Sequence, residues 1–271
     1  MGGQVMGAYY NEIDPYCAEW LRNLISMGNI APGRVDERDI RDVEPEELSN
    51  YQQCHFFAGI GVWSLALRNA GWPDDRPVWT GSCPCQPFST AGGRVGFLDE
   101  RHLWPALHHL VRERRPAVVF GEQVAGAPAG AWLDLVQDDL EMVGYAFGAV
   151  VFPAAGVGSP HIRHRLYWVA DAESQRWEEI RSDAGRGRQG SLAERLGQRT
   201  LCGGILGDAW SNAEWLPCRE EKFRPSEPGA FPLANGVAGD VGRLRAYGNA
   251  IVEPAAREFV KSFMEISEWH R

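Results

Sequence analysis

Short apolar runs alternate with amphipathic segments along most of the chain. Residues 7–14 (GAYYNEID) read as a short strand ending in polar residues. PYCAEWLRNLISMG follows, with Cys17, Leu21, Leu24 and Ile25 on one helical face, a proline in the first turn and Gly28 at the end. RVDERDIRDV predicts a short strand or turn, and EPEEL a helical turn. CHFFA is a buried-strand pattern, followed by Gly59 and Gly61 and by a helical VWSLALRNAG that Gly71 closes. RPVWTGSCPC predicts a strand running into a proline-flanked turn, RHLWPALHHLVRERR a helix from about His102, and PAVVFGEQVAG a third buried strand reaching Glu122. WLDLVQDDLEMVG is a further helix, and YAFGAVVFPAA and RLYWVADA are two further strands.

From 172 to 235 the periodicity fades into sequence rich in Arg, Gly, Ser, Glu and Pro, and it returns at RLRAYGNAIVEPAAREFVKSFMEI. No internal repeat occurs. Strands and helices alternating from 53 to 170 predict a doubly wound α/β sheet, with the irregular stretch as a small second lobe.

Length and composition fit this picture. The chain has 271 residues, 44% hydrophobic and 23% charged, as expected for one large domain or one domain with an appendage. No apolar run approaches the roughly 18–20 residues of a membrane helix, and the N-terminal residues lack the basic and apolar regions of a secretory signal. Met6 does not fit the myristoylation pattern. A cytoplasmic location is the expectation. The six cysteines, at 17, 54, 83, 85, 202 and 218, are scattered and form no C-x-x-C pair, so neither a disulfide framework nor a zinc site is expected. A net charge of −9 argues mildly against a nucleic-acid partner, although one basic face suffices to bind phosphates.

The chemistry-bearing residues collect where strands end. In an open α/β sheet, ligands sit beyond the carboxyl ends of the strands. FAGIG supplies a Gly turn and a helix N-terminus there, SCPCQ supplies a thiol on a rigid turn, and FGEQV supplies a carboxyl group after a buried strand. Thiol and carboxyl at neighbouring strand ends form a candidate nucleophile–acid pair.

These segments resemble the motifs of the DNA cytosine-C5 methyltransferases. HFFAGIG is similar to the first motif, CPCQPFS to the nucleophile loop, FGEQV to Glu-Asn-Val, HIRHR to Gln-x-Arg-x-Arg, and YGNAIV to the last motif. The resemblance covers 56–170 and 244–262, and 172–235 not at all, which coincides with the family's variable target-recognition region. It implies a Rossmann-like methyltransferase domain over 1–171, a small target-recognition region over 172–240 and a return to the catalytic domain over 241–271. It also implies S-adenosylmethionine as cofactor, S-adenosylhomocysteine as product, no metal, double-stranded DNA as partner and a monomer, in a phage or restriction–modification-like setting.

The resemblance assigns roles as well. Cys85 would attack C6 of a flipped-out cytosine, Glu122 would act at N3, and C5 would then take the methyl group. Arg163 and Arg165 would hold the flipped nucleotide, and Gln86, Ser89, Arg186 and Arg188 would join them on the DNA. Phe57, Ala58, Gly59, Ile60 and Gly61 would cradle the cofactor, with Pro84, Leu103, Asn249 and Ala250 beside it. Gln123 stands where the family has Asn, and His161 where it has Gln; both keep hydrogen-bonding capacity.

The order of segments departs from the family. Its ribose-binding acid and its adenine-contacting Asp–Ile pair normally follow the first motif, yet only about ten residues separate NAGW from TGSCPCQ. YYNEIDPYCAEWL and DERDIRDV look like those segments moved to residues 1–50. This predicts a circularly permuted order with Glu12, and Ile13 beside it, at the ribose and Asp39–Ile40 at adenine. It carries one tension: a helix kept on its usual face would then cross directly to the next strand with the rarer left hand. A tRNA-directed relative and a catalytically silent nucleic-acid-binding relative are the alternative functions.

Overall fold

The computed structural model describes residues 6–84, 103–125, 127–159, 162–173, 215–217, 223–225 and 250–268. Seven strands form one sheet in the order β2-β1-β3-β4-β5-β7-β6. They are β1 (Met6–Asn11), β2 (Gly33–Asp36), β3 (Tyr51–Phe56), β4 (Val78–Gly81), β5 (Val118–Val124), β6 (Ala146–Pro153) and β7 (His164–Asp171). The first five run parallel, and β7 is antiparallel to both β5 and β6. Five helices accompany them among the described residues: α1 (Pro15–Ser26), α2 (Val62–Asn69), α3 (Trp104–Arg114), α4 (Ala127–Met142) and α5 (Glu253–Glu268). A separate two-stranded ladder pairs β8 (Trp215–Pro217) with β9 (Phe223–Pro225). No helix among the described residues is long and apolar enough to cross a membrane.

Strand alternation sends successive side chains to opposite faces, and each face has its own core. Tyr10, Phe120 and Tyr167 meet α1, α2 and α5 on one face. Tyr9, Phe56, Val119 and Trp168 meet α3, α4 and the turn around Ile40–Leu48 on the other. Local signals match these elements. Asp14 caps α1 by accepting from the Tyr16 and Cys17 amides, and Pro15 occupies the first turn where no amide donor is needed.

The N-terminal strand lies inside the main sheet, hydrogen-bonded to β3 with Tyr10 opposite His55 and Asn11 opposite Phe56. Its insertion fixes the hands of the crossovers. α1 and α2 pack on the same face, yet β1→β2 moves one way across the sheet and β3→β4 moves the other. α3 carries β4→β5 on the opposite face. The β1–α1–β2 and β4–α3–β5 units therefore share one hand, the right-handed rule for such units, and β3–α2–β4 has the left hand. Keeping α2 on the face shared with α1 costs the usual crossover hand and preserves the turn from β3 into α2.

His55 on β3 is fully enclosed, stacked on Tyr10 with 4.9 Å between ring centres, and its Nδ1 lies 2.9 Å from Thr80 Oγ1. Burial pushes its pKa down to about 3 from an ordinary 6.5. The native state thus holds the neutral ring while the unfolded chain protonates. The stabilisation is complete above about pH 6.5 and lost as pH falls below it, by up to about 1.4 kcal/mol per unit. Urea unfolding between pH 7 and 5 should weaken more steeply in the wild type than in His55→Asn; parallel curves would contradict this.

Candidate active site at the carboxyl edge of the sheet

Parallel pairing brings the ends of β1 to β5 to one edge, and the antiparallel β7 begins at that same edge. Glu12, Phe57–Gly61, Ser82–Pro84, Glu122, Arg163 and Arg165 gather there.

The turn after β3 is built from unusual backbone. Phe57, Gly59 and Gly61 have φ of +54°, +55° and +77°. For a non-glycine residue such as Phe57 this conformation is strained and is held by its surroundings. Here the Ala58 amide donates to the Asn11 carbonyl at 3.0 Å, and the Gly61 amide donates to the Ala58 carbonyl at 2.9 Å. Gly61 starts α2, and a Cβ there would also come within 3.1 Å of Ile30 Cδ1 and Leu21 Cδ2. Gly61→Ala should therefore cost about 1–3 kcal/mol through strain and crowding, visible as a lowered Tm; an unchanged Tm would refute the tight fit.

Glu12 bridges the N-terminal segment to this turn. Its Oε2 accepts from the Gly59 amide at 2.7 Å, and its Oε1 accepts from the Asp14 amide at 2.9 Å. Burial raises its pKa, opposed by the two amide bonds. Ile13, next to it, is an exposed apolar side chain at the same edge. Asp39 and Ile40 lie beyond β2. The Asp39 carboxylate caps the short turn Ile40–Asp42 and is held by Arg41, and the Ile40 side chain is buried among the residues of the α3 face.

A cluster at the end of β2 escaped the sequence reading. Asp36 is buried, accepts from the Tyr9 hydroxyl at 3.0 Å and pairs with Arg38 at 2.7 Å. Burial would raise its pKa, but the Arg38 hydrogen bonds outweigh this and hold it at about 2. The Asn11 amide Nδ2 donates to the Arg38 carbonyl at 2.8 Å and ties the cluster to the end of β1. The available signal was a pair of opposite charges two residues apart, Asp36 and Arg38, at the end of a short strand with a single apolar residue, Val35.

Glu122 sits near the end of β5 and is 8% exposed. Ladder register sets Arg165 opposite Val124, one diagonal step from Glu122 on the same face. The Arg165 Nε reaches Glu122 Oε1 at 2.8 Å. Burial drives the Glu122 pKa up to about 7, against the pull of Arg165 and Arg163. Such a carboxyl group holds or releases a proton near neutrality, as a general acid must. Arg163 has φ +28°, and its Nη2 donates to the Ala250 carbonyl at 2.7 Å, joining β7 to the segment before α5.

Cys85, Gln86, Ser89, His161, Arg186, Arg188 and Asn249 lie outside the described residues. Pro84 is exposed at the site edge, and Leu103 caps α3 from the α3-face core. Cys83 is buried in that core, with its thiol pKa raised by burial. It therefore sits on the far face from Glu122. No group of three or more His, Cys, Asp or Glu suited to a metal ion occurs among the described residues.

The strand order, the antiparallel β7 and the Gly turn opening α2 define a Rossmann-like methyltransferase fold. A prophage-encoded protein of E. coli, assigned as a DNA modification methyltransferase, shares it at TM-score 0.53 and 16% identity over 96% of this chain and 92% of that one. The family model "C-5 cytosine-specific DNA methylase" matches residues 4–199, and the chain belongs to that family. Type II methyltransferase M.HhaI of Haemophilus parahaemolyticus is 35% identical over 167 residues, 47% of this chain and 51% of that protein. Type II methyltransferase M.Eco47II of Escherichia coli is 26% identical over 217 residues, 56% and 52% of the two chains. The chain thus spans about half the length of these curated relatives.

Proposed function

We propose that the chain is a DNA cytosine-C5 methyltransferase that acts through a covalent adduct between Cys85 and C6 of a flipped-out cytosine. One observation carries the reading: a buried carboxyl group poised near pH 7, paired with Arg165, at the end of the strand beside the one that leads into Cys85. Family membership and the type II methyltransferases it resembles support the same chemistry.

The residues at the edge suit S-adenosylmethionine. The Gly turn leaves open space where a Gly59 side chain would stand, Glu12 offers a carboxylate beside it, and Ile13 offers an apolar surface. Phe57–Gly61, Glu12 and Ile13 would hold it, with the Asp39–Ile40 backbone, Pro84, Leu103, Asn249 and Ala250 around them. When bound, it supplies a methyl group on a positively charged sulfur.

The chain's own residues do the rest. The Cys85 thiolate adds to C6, forming an S–C6 bond and pushing the C5–C6 π electrons toward C5 and the ring. Glu122 gives or shares its proton at N3, so that negative charge does not build up on the ring. C5, now enamine-like, is the carbon that takes the methyl group. A base then removes the C5 proton, the C5–C6 double bond re-forms, Cys85 leaves as thiolate and N3 returns its proton. C6 is inaccessible within a stacked duplex, so the base must leave the helix first. Arg165 orients Glu122, and Arg163 anchors the final segment through Ala250. Double-stranded DNA is the proposed partner of a monomer, with Gln86, Ser89, Arg186 and Arg188 reaching it from the nucleophile loop and the Arg-rich segment.

Expression followed by bisulfite or nanopore sequencing of host and plasmid DNA tests this reading. Modified cytosines in a fixed sequence context are expected. Unmodified DNA beside well-folded protein would count against it, and the same readout on tRNA would then decide for an RNA substrate.

A further inference from the structure

The base of the nucleophile loop is tied to the cofactor side of the site by a side chain that no catalytic motif uses. Trp63 stands two residues after Gly61, in the first turn of α2. Its indole is 6% exposed, stacks on Phe120 at 6.0 Å and 20°, and meets the edge of Tyr167 at 6.2 Å and 83°. Phe120 is two residues before Glu122 and Tyr167 is two after Arg165, so both lie on the same face as that pair, one step below it. The indole Nε1 donates to Ser82 Oγ at 3.0 Å. On the other face, Gln123 Nε2 donates to the Cys83 carbonyl at 3.4 Å while Gln123 Oε1 accepts from the Val124 amide at 2.9 Å. Cys85 follows Cys83 by two residues in the sequence.

We propose that Trp63 is a positioning residue for the nucleophile, acting through its hydrogen bond to Ser82. The proposal rests on the methyltransferase reading above. The indole fixes the start of the loop against the floor that also carries Glu122 and Arg165. Ser82, three residues before Cys85, and the Glu122 carboxyl are thereby referenced to one aromatic stack. Because Trp63 belongs to the first turn of α2, the same contact joins the cofactor turn to the nucleophile loop. A phenylalanine would fill the same stack and could not make the bond; an alanine at 82 would leave the indole donor without its acceptor.

Trp63→Phe, Ser82→Ala and the double variant test this through two readouts. Each single change should lower kcat about five- to tenfold with KM for the methyl donor unchanged. The double variant should be no worse than either single one, because one bond is lost in all three. The second readout needs no DNA: iodoacetamide alkylation at Cys85, followed by peptide mass mapping. Its rate should shift by a common factor in the three variants while Tm stays within a few degrees of the wild type. Losses that multiply in the double variant, a KM effect without a kcat effect, or unaltered Cys85 alkylation would overturn the assignment. If the wild type leaves nucleic acid unmodified, the function reading fails, and the alkylation series still decides the role of Trp63.

Discussion

Cys85→Ser should abolish methyl transfer while leaving the donor site intact. A hydroxyl is far less acidic than a thiol and a harder nucleophile, so addition to C6 fails at the first bond-forming step. The expected loss is about 10⁴-fold or more, the order found when an enzyme's covalent nucleophile is removed. S-adenosylhomocysteine binding, followed by calorimetry, should stay within about twofold, because Glu12 and the Phe57–Gly61 turn are built from β1 and β3. Residual turnover within tenfold of the wild type would move the nucleophile elsewhere. Cys83 is a poor substitute, since it is buried on the opposite face with its thiol pKa raised.

Glu122→Gln should lower kcat by about 10²- to 10⁴-fold, the usual worth of a positioned acid. Its pH signature is more telling than its size. Burial places the wild-type carboxyl near 7, and in the proposed mechanism the acid form is the one that protonates N3. The kcat/KM of the wild type should therefore fall as pH rises above about 7, approaching tenfold per unit, as the proton is lost. In Glu122→Gln that descending limb should vanish. The same shift has a stability consequence of fixed sign. A carboxyl whose native pKa is raised favours the native state most below its unfolded value near 4.5, and the advantage fades as pH climbs through about 7. The site thus carries its least comfortable charge state in alkaline solution, where Arg163 and Arg165 offset part of the burial of the carboxylate.

Much of this site was legible in the chain because its parts stand at strand ends, and strand ends have strong local signals. Glu122 follows a run of apolar residues, and Gly59 and Gly61 follow another. The expected N-terminal strand also enters the sheet beside β3, and Glu12 reaches Gly59, because an acidic residue after a short apolar strand is a local pattern. The hand of the β3–α2–β4 crossover was legible only as a tension. It depends on which face α2 packs against, and an amphipathic helix does not record which side of a sheet its stripe will meet. α3 begins at Trp104, two residues beyond the polar His102 from which apolar spacing was read. The Tyr9–Asp36 and Trp63–Ser82 hydrogen bonds join residues far apart in the sequence, and no local periodicity marks such pairs. Gln123 read simply as a substitution that kept hydrogen-bonding capacity; in the fold its longer amide touches the backbone at Cys83.

DNA carrying 5-fluorocytosine at the sites the chain modifies offers the most direct test of the covalent mechanism. Fluorine at C5 cannot depart as the proton does, so the S–C6 bond formed before methyl transfer has no route to elimination. Incubation with this DNA and S-adenosylmethionine should yield a denaturant-stable protein–DNA complex. Its digest should contain one nucleotide-bearing peptide, modified at Cys85, and Cys85→Ser should form none. Methylation of ordinary cytosine without any trapped complex, or an adduct mapped to another cysteine, would contradict the account.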